Sequence, residues 1–253
     1  MAKPYYAPGS LSAACYDVMT AADVRLQGDE DIYAGLAPAG GRILELGAGT
    51  GRLAAGLAAR GFEVLGVEIA PAMLAQAQAR VATLPEVVRG RIRLRRGDMT
   101  ALDLKETFDL VLCPYFTLAH VPAGTAWRNT FTVAGRHLAE GGLAAFHLPK
   151  LAMMQAASPP DPSRPVMDQP LPDGGRLRLF LVERTFRPGI NRLDQALDYT
   201  IVDPAGRTVQ RSLERLTYYM TDPEPLAAQA GLALDRPPID LGGVGDVWVF
   251  RKG

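Results

Sequence analysis

The sequence predicts an α/β fold in which a parallel sheet carries a ligand site and an antiparallel β insertion follows. A short apolar run at residues 43–46 breaks into a glycine turn, and a helix-like stretch comes directly after it. A strand, a glycine turn and a helix N-terminus in that order form a nucleotide-type pocket at the carboxyl ends of parallel strands. After residue 175 the strand-and-helix pattern gives way to period-2 patterns, which are typical of half-buried strands.

Residues 47–52 read Gly-Ala-Gly-Thr-Gly-Arg, and their spacing decides which nucleotide fits. The dinucleotide fingerprint G-x-G-x-x-G needs a small residue at its last position, inside the helix. Arg52 occupies that position here, and the third glycine, Gly51, comes one place early. The strand also carries Glu45 just before the turn, and a carboxylate there attracts a cation and repels a pyrophosphate. The pattern therefore disfavours an NAD(P)-dependent oxidoreductase, the alternative enzyme class.

Three stretches together resemble a known enzyme family. Residues 45–51 resemble motif I of the class I S-adenosylmethionine (SAM)-dependent methyltransferases, residues 68–74 the second motif, and residues 97–99 the element whose acid binds the adenine amino group. The resemblance implies a Rossmann-like class I methyltransferase sheet and SAM as cofactor. It also implies a set of cofactor-binding residues: Glu45, Gly47, Ala48, Gly49, Thr50, Gly51, Arg52, Glu68, Ile69, Met73, Gly97, Asp98, Met99 and Cys113.

Glu68 is also identified by its position alone. It ends a second apolar run about 20 residues after the first glycine, the separation expected of an acid that binds ribose hydroxyls. A solvated acid at a strand end is the alternative interpretation.

Candidate acceptor residues follow from a second, narrower resemblance. The loop ending in His120 resembles that of SAM-dependent amino-sugar N-methyltransferases, in which the matching histidine lies at the acceptor site. Tyr16 resembles the tyrosine of the lead-in Tyr-Asp of small-molecule methyltransferases. His120 and Tyr16 are thus the catalytic candidates, although either side chain has a structural alternative. Position in the chain adds further residues expected to contact substrate, namely Tyr115 and Phe116 in this loop, His147 at the end of the next apolar strand and Arg215 in the β insertion, whereas His137 is expected to be structural.

Composition divides the chain into four segments. Residues 1–40 are expected to form an N-terminal helical lid, and residues 41–148 the SAM-binding Rossmann-like core. Residues 149–221 are expected to be a proline-rich loop followed by an inserted antiparallel β subdomain that caps the substrate. Residues 222–253 are expected to return to the core as a helix and a closing strand.

Every second position from residue 89 to residue 95 is an arginine, and these four side chains are predicted to share one strand face: Arg89, Arg91, Arg93 and Arg95. An outer strand with a solvated charged face is the favoured interpretation, and a basic groove for nucleic acid is the other. The whole chain has 27 basic and 27 acidic residues, so no overall field attracts nucleic acid or an anionic membrane.

The composition, with 48% apolar and 21% charged residues among 253, is that of a globular protein. Two cysteines without framework spacing and the absence of a signal-peptide pattern lead us to expect a cytoplasmic protein without a membrane partner. The histidines and cysteines lack metal-ligand spacing.

The predicted function is SAM-dependent methyl transfer to a nitrogen or oxygen of a small molecule. A homodimer is compatible with the sequence. A non-catalytic SAM-binding regulator is the alternative of a different class.

Overall fold

The computed structural model describes residues 2–253, which divide into two compact units. The core unit comprises residues 25–150 and 220–253, and the β unit comprises the residues up to 24 together with residues 151–219. The strands, in chain order, are β1 Lys3–Pro4, β2 Arg42–Leu46, β3 Glu63–Glu68, β4 Ile92–Arg96, β5 Phe108–Cys113, β6 Leu138–Pro149, β7 Met167–Pro170, β8 Arg176–Arg187, β9 Arg192–Val202, β10 Thr208–Tyr219, β11 Leu232–Leu234, β12 Ile239–Leu241 and β13 Gly245–Lys252. The α-helices are α1 Leu11–Ala14, α2 Tyr16–Ala22, α3 Asp29–Ala34, α4 Arg52–Ala59, α5 Pro71–Ala82, α6 Glu86–Arg89, α7 Thr125–His137, α8 Leu151–Gln155 and α9 Glu224–Gln229. Short 3-10 turns cover Val24–Leu26, Thr117–His120 and Pro188–Ile190.

The core unit is built on an eight-stranded sheet in the order β11-β13-β6-β5-β2-β3-β4, with β12 paired to β13. Strands β2 to β6 run parallel, and β13 runs antiparallel to β6. From β2 the chain moves outward to β3 and β4, and then returns to place β5 on the other side of β2. This reversal is a topological switch point, where the carboxyl ends of parallel strands leave a crevice for a ligand.

Burial explains why these segments pair. The β2 side chains Ile43, Leu44 and Leu46 have no solvent exposure, as expected of a parallel strand covered on both faces. Helix α4 places Leu53 and Leu57 in the same apolar cluster as Ile43, so the helix after the glycine turn packs back onto the sheet.

The four arginines do not share a strand face, and this prediction was wrong. Arg89 ends helix α6, Arg91 precedes the strand, and only Arg93 and Arg95 lie within β4. At the end of helix α6 the Gly90 N–H donates to the Glu86 and Val88 carbonyls. The prediction of an outer strand is confirmed, since β4 is the last strand of the sheet.

The β unit contains a five-stranded sheet in the order β1-β10-β9-β8-β7. Its long strands β8, β9 and β10 are antiparallel and arise from the period-2 runs of the sequence, with Leu177 and Leu179 on the buried face. Helices α1 and α2 contribute Leu11 and Met19 to the apolar cluster on this sheet. The first 40 residues, expected to form one lid, are divided between the two units.

No helix within residues 2–253 combines the length and the apolar character needed to cross a membrane.

Candidate active site

The glycine turn connects β2 to α4 at the switch point of the core sheet. Gly47, Gly49 and Gly51 have φ values of 79°, 55° and 73°, in the left-handed region that residues with a Cβ adopt only at a cost. The backbone N–H groups of Gly47 and Ala48 donate to the Val67 carbonyl at 2.8 and 3.0 Å. The three glycines are therefore required by backbone conformation, whatever the turn binds.

The glycine turn also contacts the 3-10 turn that ends at His120. A Cβ built on Gly47 would lie 2.2 Å from the Thr117 methyl carbon, which is far inside van der Waals contact. The close approach of these two turns depends on the missing side chain at position 47.

Glu45 lies at the end of β2 with only 2% of its surface exposed. Its Oε2 atom is buried and has no hydrogen-bond partner among the described residues. Burial raises the pKa of this carboxyl to about 8; the charge of Arg52 opposes the shift, and the carboxylates of Asp29 and Glu68 add to it. The result is a buried acid that keeps its proton at neutral pH beside the glycine turn, and a cation bound there would stabilise its ionised form.

Because of this raised pKa, the ligand-free protein should become less stable as the pH rises from about 5 to 8. The unfolded chain ionises near pH 4.3, whereas the folded protein retains the Glu45 proton up to about pH 8. In that window one proton separates the two states, so the free energy of unfolding falls by about 1.4 kcal/mol per pH unit on account of this group.

Thermal melts of the parent and Glu45→Gln proteins across this pH range provide the measurement. The glutamine is neutral in both states, so the variant should lack that share of the decline, while Glu86→Gln at an exposed position should retain it. Identical slopes for the parent and Glu45→Gln would show that Glu45 does not hold the proton.

The Glu68 carboxylate, at the end of β3, accepts hydrogen bonds from two backbone N–H groups. Its Oε2 accepts a hydrogen bond from the Gly49 N–H at 2.9 Å, and its Oε1 accepts one from the Ala70 N–H at 2.7 Å. The carboxylate thus joins the glycine turn to the start of α5. Of the neighbouring candidates, Met73 is buried and Ile69 is 59% exposed.

The remaining cofactor candidates lie at the ends of β4 and β5. Asp98 is exposed, and its Oδ1 accepts hydrogen bonds from both the N–H and the hydroxyl of Thr100 at 2.8 Å. Gly97 is closely packed, because a Cβ there would lie 2.9 Å from Val67. Cys113 is fully buried, and burial raises the pKa of its thiol well above the ordinary value.

Sequence reasoning missed two residues of α3 that lie at this site. Asp29 is buried and forms an ion pair with Arg52, with an Nη1–Oδ1 distance of 3.2 Å. Tyr33 has no exposed surface and its hydroxyl lacks a partner among the described residues. Burial raises the pKa of Tyr33, and the charge of Asp29 raises it further, as do Cys113 and Glu45. The only signal in the sequence was the acidic run at residues 29–31.

His120 ends the 3-10 turn Thr117–His120, after two residues with left-handed backbone, Tyr115 (φ 46°) and Phe116 (φ 60°). Non-glycine residues in this region are held there by surrounding structure and are common at functional sites. Burial lowers the pKa of His120 to about 4, so the imidazole is neutral at physiological pH. This differs from the ordinary histidine value.

Phe116 and His147 lie together inside the core unit, with ring centroids 4.5 Å apart. Both are buried, at 5% and 1% exposure. A Cβ on Gly245 would lie 2.4 Å from both rings, so β13 closes over this pair. His137 has the structural role expected of it: its Nε2 accepts from the Leu104 N–H at 2.9 Å, and its Nδ1 donates to the Val133 carbonyl at 2.7 Å.

The other acceptor candidates belong to the β unit. Tyr16 begins α2, and its ring lies 5.8 Å from that of Tyr6. Arg215 is an exposed residue of β10 whose carbonyl accepts the Tyr5 N–H at 3.0 Å. Within residues 2–253 no cluster of three or more histidine, cysteine or acidic residues is placed to hold a metal ion.

The strand order and the glycine turn define the class I methyltransferase fold, as the sequence resemblance implied. Residues 43–142 match the family model described as a methyltransferase domain. The CcbJ methyltransferase from Streptomyces caelestis superposes with a TM-score of 0.76 at 23% identity, over 99% of this chain and 98% of that chain. At this identity the likeness establishes the fold.

Two curated relatives each match about two fifths of the chain. One is a Geobacillus sp. (strain WCH70) protein named as a methyltransferase, 37% identical over 42% of this chain and 41% of its own length. The other is the dTDP-4-amino-2,3,4,6-tetradeoxy-D-glucose N,N-dimethyltransferase of Saccharopolyspora spinosa, 32% identical over 40% of this chain and 38% of its own length. The chain spans about two fifths of the length of the curated relatives it matches.

Proposed function

We propose that the protein is a SAM-dependent methyltransferase that methylates the amino group of a small molecule of the amino-sugar class. The observation that carries this proposal is the buried, unpartnered Glu45 oxygen beside a turn of G-x-G-x-G spacing. A cationic cofactor would stabilise the ionised form of this acid, whereas the pyrophosphate of a dinucleotide would disfavour that form further.

The residues at the switch point have the chemical character needed to bind each part of SAM. The glycine turn and Glu45 would hold the amino-acid end, Glu68 the ribose and Asp98 the adenine, since these side chains end successive strands of the sheet. When bound, SAM supplies a methyl group already activated on a sulfonium. The chain therefore has to align the acceptor and exclude water more than it has to activate the methyl carbon.

His120 supports an amine as acceptor. Its imidazole is neutral because burial lowers its pKa to about 4, so the ring nitrogen that carries no proton can accept a hydrogen bond from the N–H of an uncharged amine. That bond would orient the amine lone pair, and a residue of such low basicity would take up the released proton only weakly. The Saccharopolyspora spinosa relative is named for N,N-dimethylation of an amino sugar, which supports the same choice.

Calorimetry against SAM, S-adenosylhomocysteine and NADH tests the cofactor, followed by methylation assays with dTDP-linked 4-amino sugars. We expect binding of the first two ligands and methylation of an amino sugar. Tight NADH binding without a response to SAM would support the oxidoreductase alternative. SAM binding without turnover on any acceptor would support a non-catalytic regulator.

Replacing Glu68 with alanine should weaken SAM binding about 10- to 150-fold. The Glu68 side chain would accept a charge-assisted hydrogen bond from the ribose, which contributes about 1.5–3 kcal/mol, and about 1.4 kcal/mol is a factor of ten. Titration calorimetry measures the affinity, and circular dichroism checks the fold because Glu68 also binds two backbone groups. Glu86→Ala, at an exposed position, is the control. Parent-like affinity in a folded Glu68→Ala protein would contradict the assignment.

A further inference from the structure

Arg80 lies in the last turn of α5 and reaches back to the glycine turn, 30 residues earlier in the chain. Its Nε–H donates to the Thr50 carbonyl at 2.9 Å. Thr50 is only 1% exposed, and its carbonyl lies one residue before that of Gly51, which accepts from the Ala55 N–H as α4 begins. A buried carbonyl ahead of a helix needs a donor from elsewhere, and Arg80 supplies one.

The glycine turn uses its own N–H groups to keep its shape. The Gly49 N–H donates to Glu68 at 2.9 Å, and the Val67 carbonyl accepts from the first two residues of the turn. A phosphate cradle instead needs backbone N–H groups that point at the ligand. The turn therefore meets a ligand mainly with its surface, so its backbone conformation decides whether the ligand fits.

The peptide group between Thr50 and Gly51 is held at both ends. Its carbonyl accepts from Arg80, and its N–H donates to the Ala48 carbonyl at 2.8 Å. Ala77 lies three residues before Arg80, on the same face of α5, and a Cβ built on Gly51 would be 3.2 Å from the Ala77 Cβ. Helix α5 thus secures this one peptide group by a hydrogen bond and by a close contact.

We propose that Arg80 is a positioning residue of the cofactor site: by donating to the Thr50 carbonyl, it holds the glycine turn in the conformation that receives SAM. This inference rests on the proposed function, in which the turn binds SAM. Gly49 and Gly51 flank Thr50 with φ values of 55° and 73°, and glycine has many other conformations open to it. Without Arg80, part of the ligand-free population would therefore hold the turn in conformations that do not bind.

Calorimetry and hydrogen exchange of Arg80→Met test this role. Methionine keeps an apolar stem but has no donor, and loss of a bond from a charged donor should reduce the competent fraction to about a tenth. The apparent dissociation constant for SAM is the intrinsic one divided by that fraction, so it should rise about tenfold. The Gly51 amide of the ligand-free variant should exchange at least about tenfold faster. With the amino sugar that the parent methylates, kcat at saturating SAM should stay within about twofold, because bound SAM restores the turn.

Arg136→Met is the matched control. Arg136 is exposed and also lies in the last turn of a helix, α7, so this variant loses the same charge near a helix C-terminus. Its SAM affinity and its exchange at Gly51 should match those of the parent. Arg80→Lys keeps the charge and an N–H donor, and its affinity for SAM should lie between those of the parent and Arg80→Met.

An arginine that only stabilises the fold would lower the melting temperature when replaced and leave the dissociation constant for SAM unchanged. That result in a folded Arg80→Met protein, or an equal loss of affinity in Arg136→Met, would overturn the inference. Should the Arg80 variants not fold, the ligand-free parent provides the test, since a Gly51 amide exchanging at the rate of an unfolded chain would show that the turn is not held before SAM binds. Failure of the parent to bind SAM would instead overturn the proposed function, whatever the exchange at Gly51.

Discussion

Replacing His120 with alanine should lower kcat about 10²-fold and leave the SAM dissociation constant within about twofold. The first effect lies at the low end of the range for a proton-transferring side chain, because a residue whose pKa is lowered to about 4 is a weak base. The second follows because the proposed adenosyl contacts come from Glu68, Asp98 and the glycine turn. Single-turnover kinetics with saturating SAM measure the chemical step.

His120→Asn is the informative companion, since an amide oxygen can still accept a hydrogen bond from an amine. If His120 acts mainly by positioning the acceptor and not by taking up its proton, this variant should recover part of the lost rate. Turnover at the parent rate in both variants would make His120 structural and would leave Tyr16 as the catalytic candidate.

The pH dependence of kcat/KM tests whether His120 titrates as an ordinary histidine or stays neutral because it is buried. An ordinary histidine would make kcat/KM fall below about pH 6.5, which is what the sequence alone leads one to expect. Burial lowers the pKa of His120 to about 4, so the imidazole stays neutral through that range, and its protonation should reduce kcat/KM only near pH 4. An acid limb at higher pH that survives in His120→Asn would belong to the acceptor amine.

Replacing Gly47 with alanine should weaken SAM binding by more than about 30-fold or prevent folding. The new Cβ would lie 2.2 Å from the Thr117 methyl carbon, an overlap of the kind that costs about 1–3 kcal/mol. The left-handed backbone at φ 79° adds about 1–2 kcal/mol for a residue with a side chain. Calorimetry and thermal melts measure the two consequences.

Gly61→Ala is the matched control. Gly61 also has a left-handed backbone, at φ 100°, but a Cβ there meets no atom within 4 Å, so it reports the conformational cost without the overlap. Adding Thr117→Ser to Gly47→Ala removes the overlapping methyl and should restore part of the affinity. If the double variant binds no better than Gly47→Ala, the contact between the two turns does not limit binding.

Much of the core unit could be predicted from the sequence because its signals are local. The glycine spacing, the acid at the end of β3 and the apolar strands are all contained in short stretches, and the class I methyltransferase fold followed from them. The arginine prediction failed because alternation over residues 89–95 does not distinguish a strand from a short helix ended by Gly90.

The rest depended on contacts between distant segments. Nothing near Asp29 or Tyr33 in the sequence indicates that α3 lies against Arg52 and Glu45, and nothing near Arg80 indicates that it donates to the Thr50 carbonyl. The low pKa of His120 likewise reflects burial, which is a property of packing. Patterns within a strand or a turn therefore located the proposed cofactor site, whereas the residues that support it appear only in three dimensions.

The pairing of β1 with β10 has a consequence for how this chain is made. Lys3 lies opposite Glu214, so β1 has no strand partner until β10, which comes far later in the sequence, has been synthesised. The core sheet likewise cannot be completed until β13, which lies between β6 and β11, has been synthesised. Contacts of such long sequence separation slow folding and prolong the exposure of apolar side chains such as Leu11. Neither sheet can therefore be complete before β10 and β13 have been synthesised.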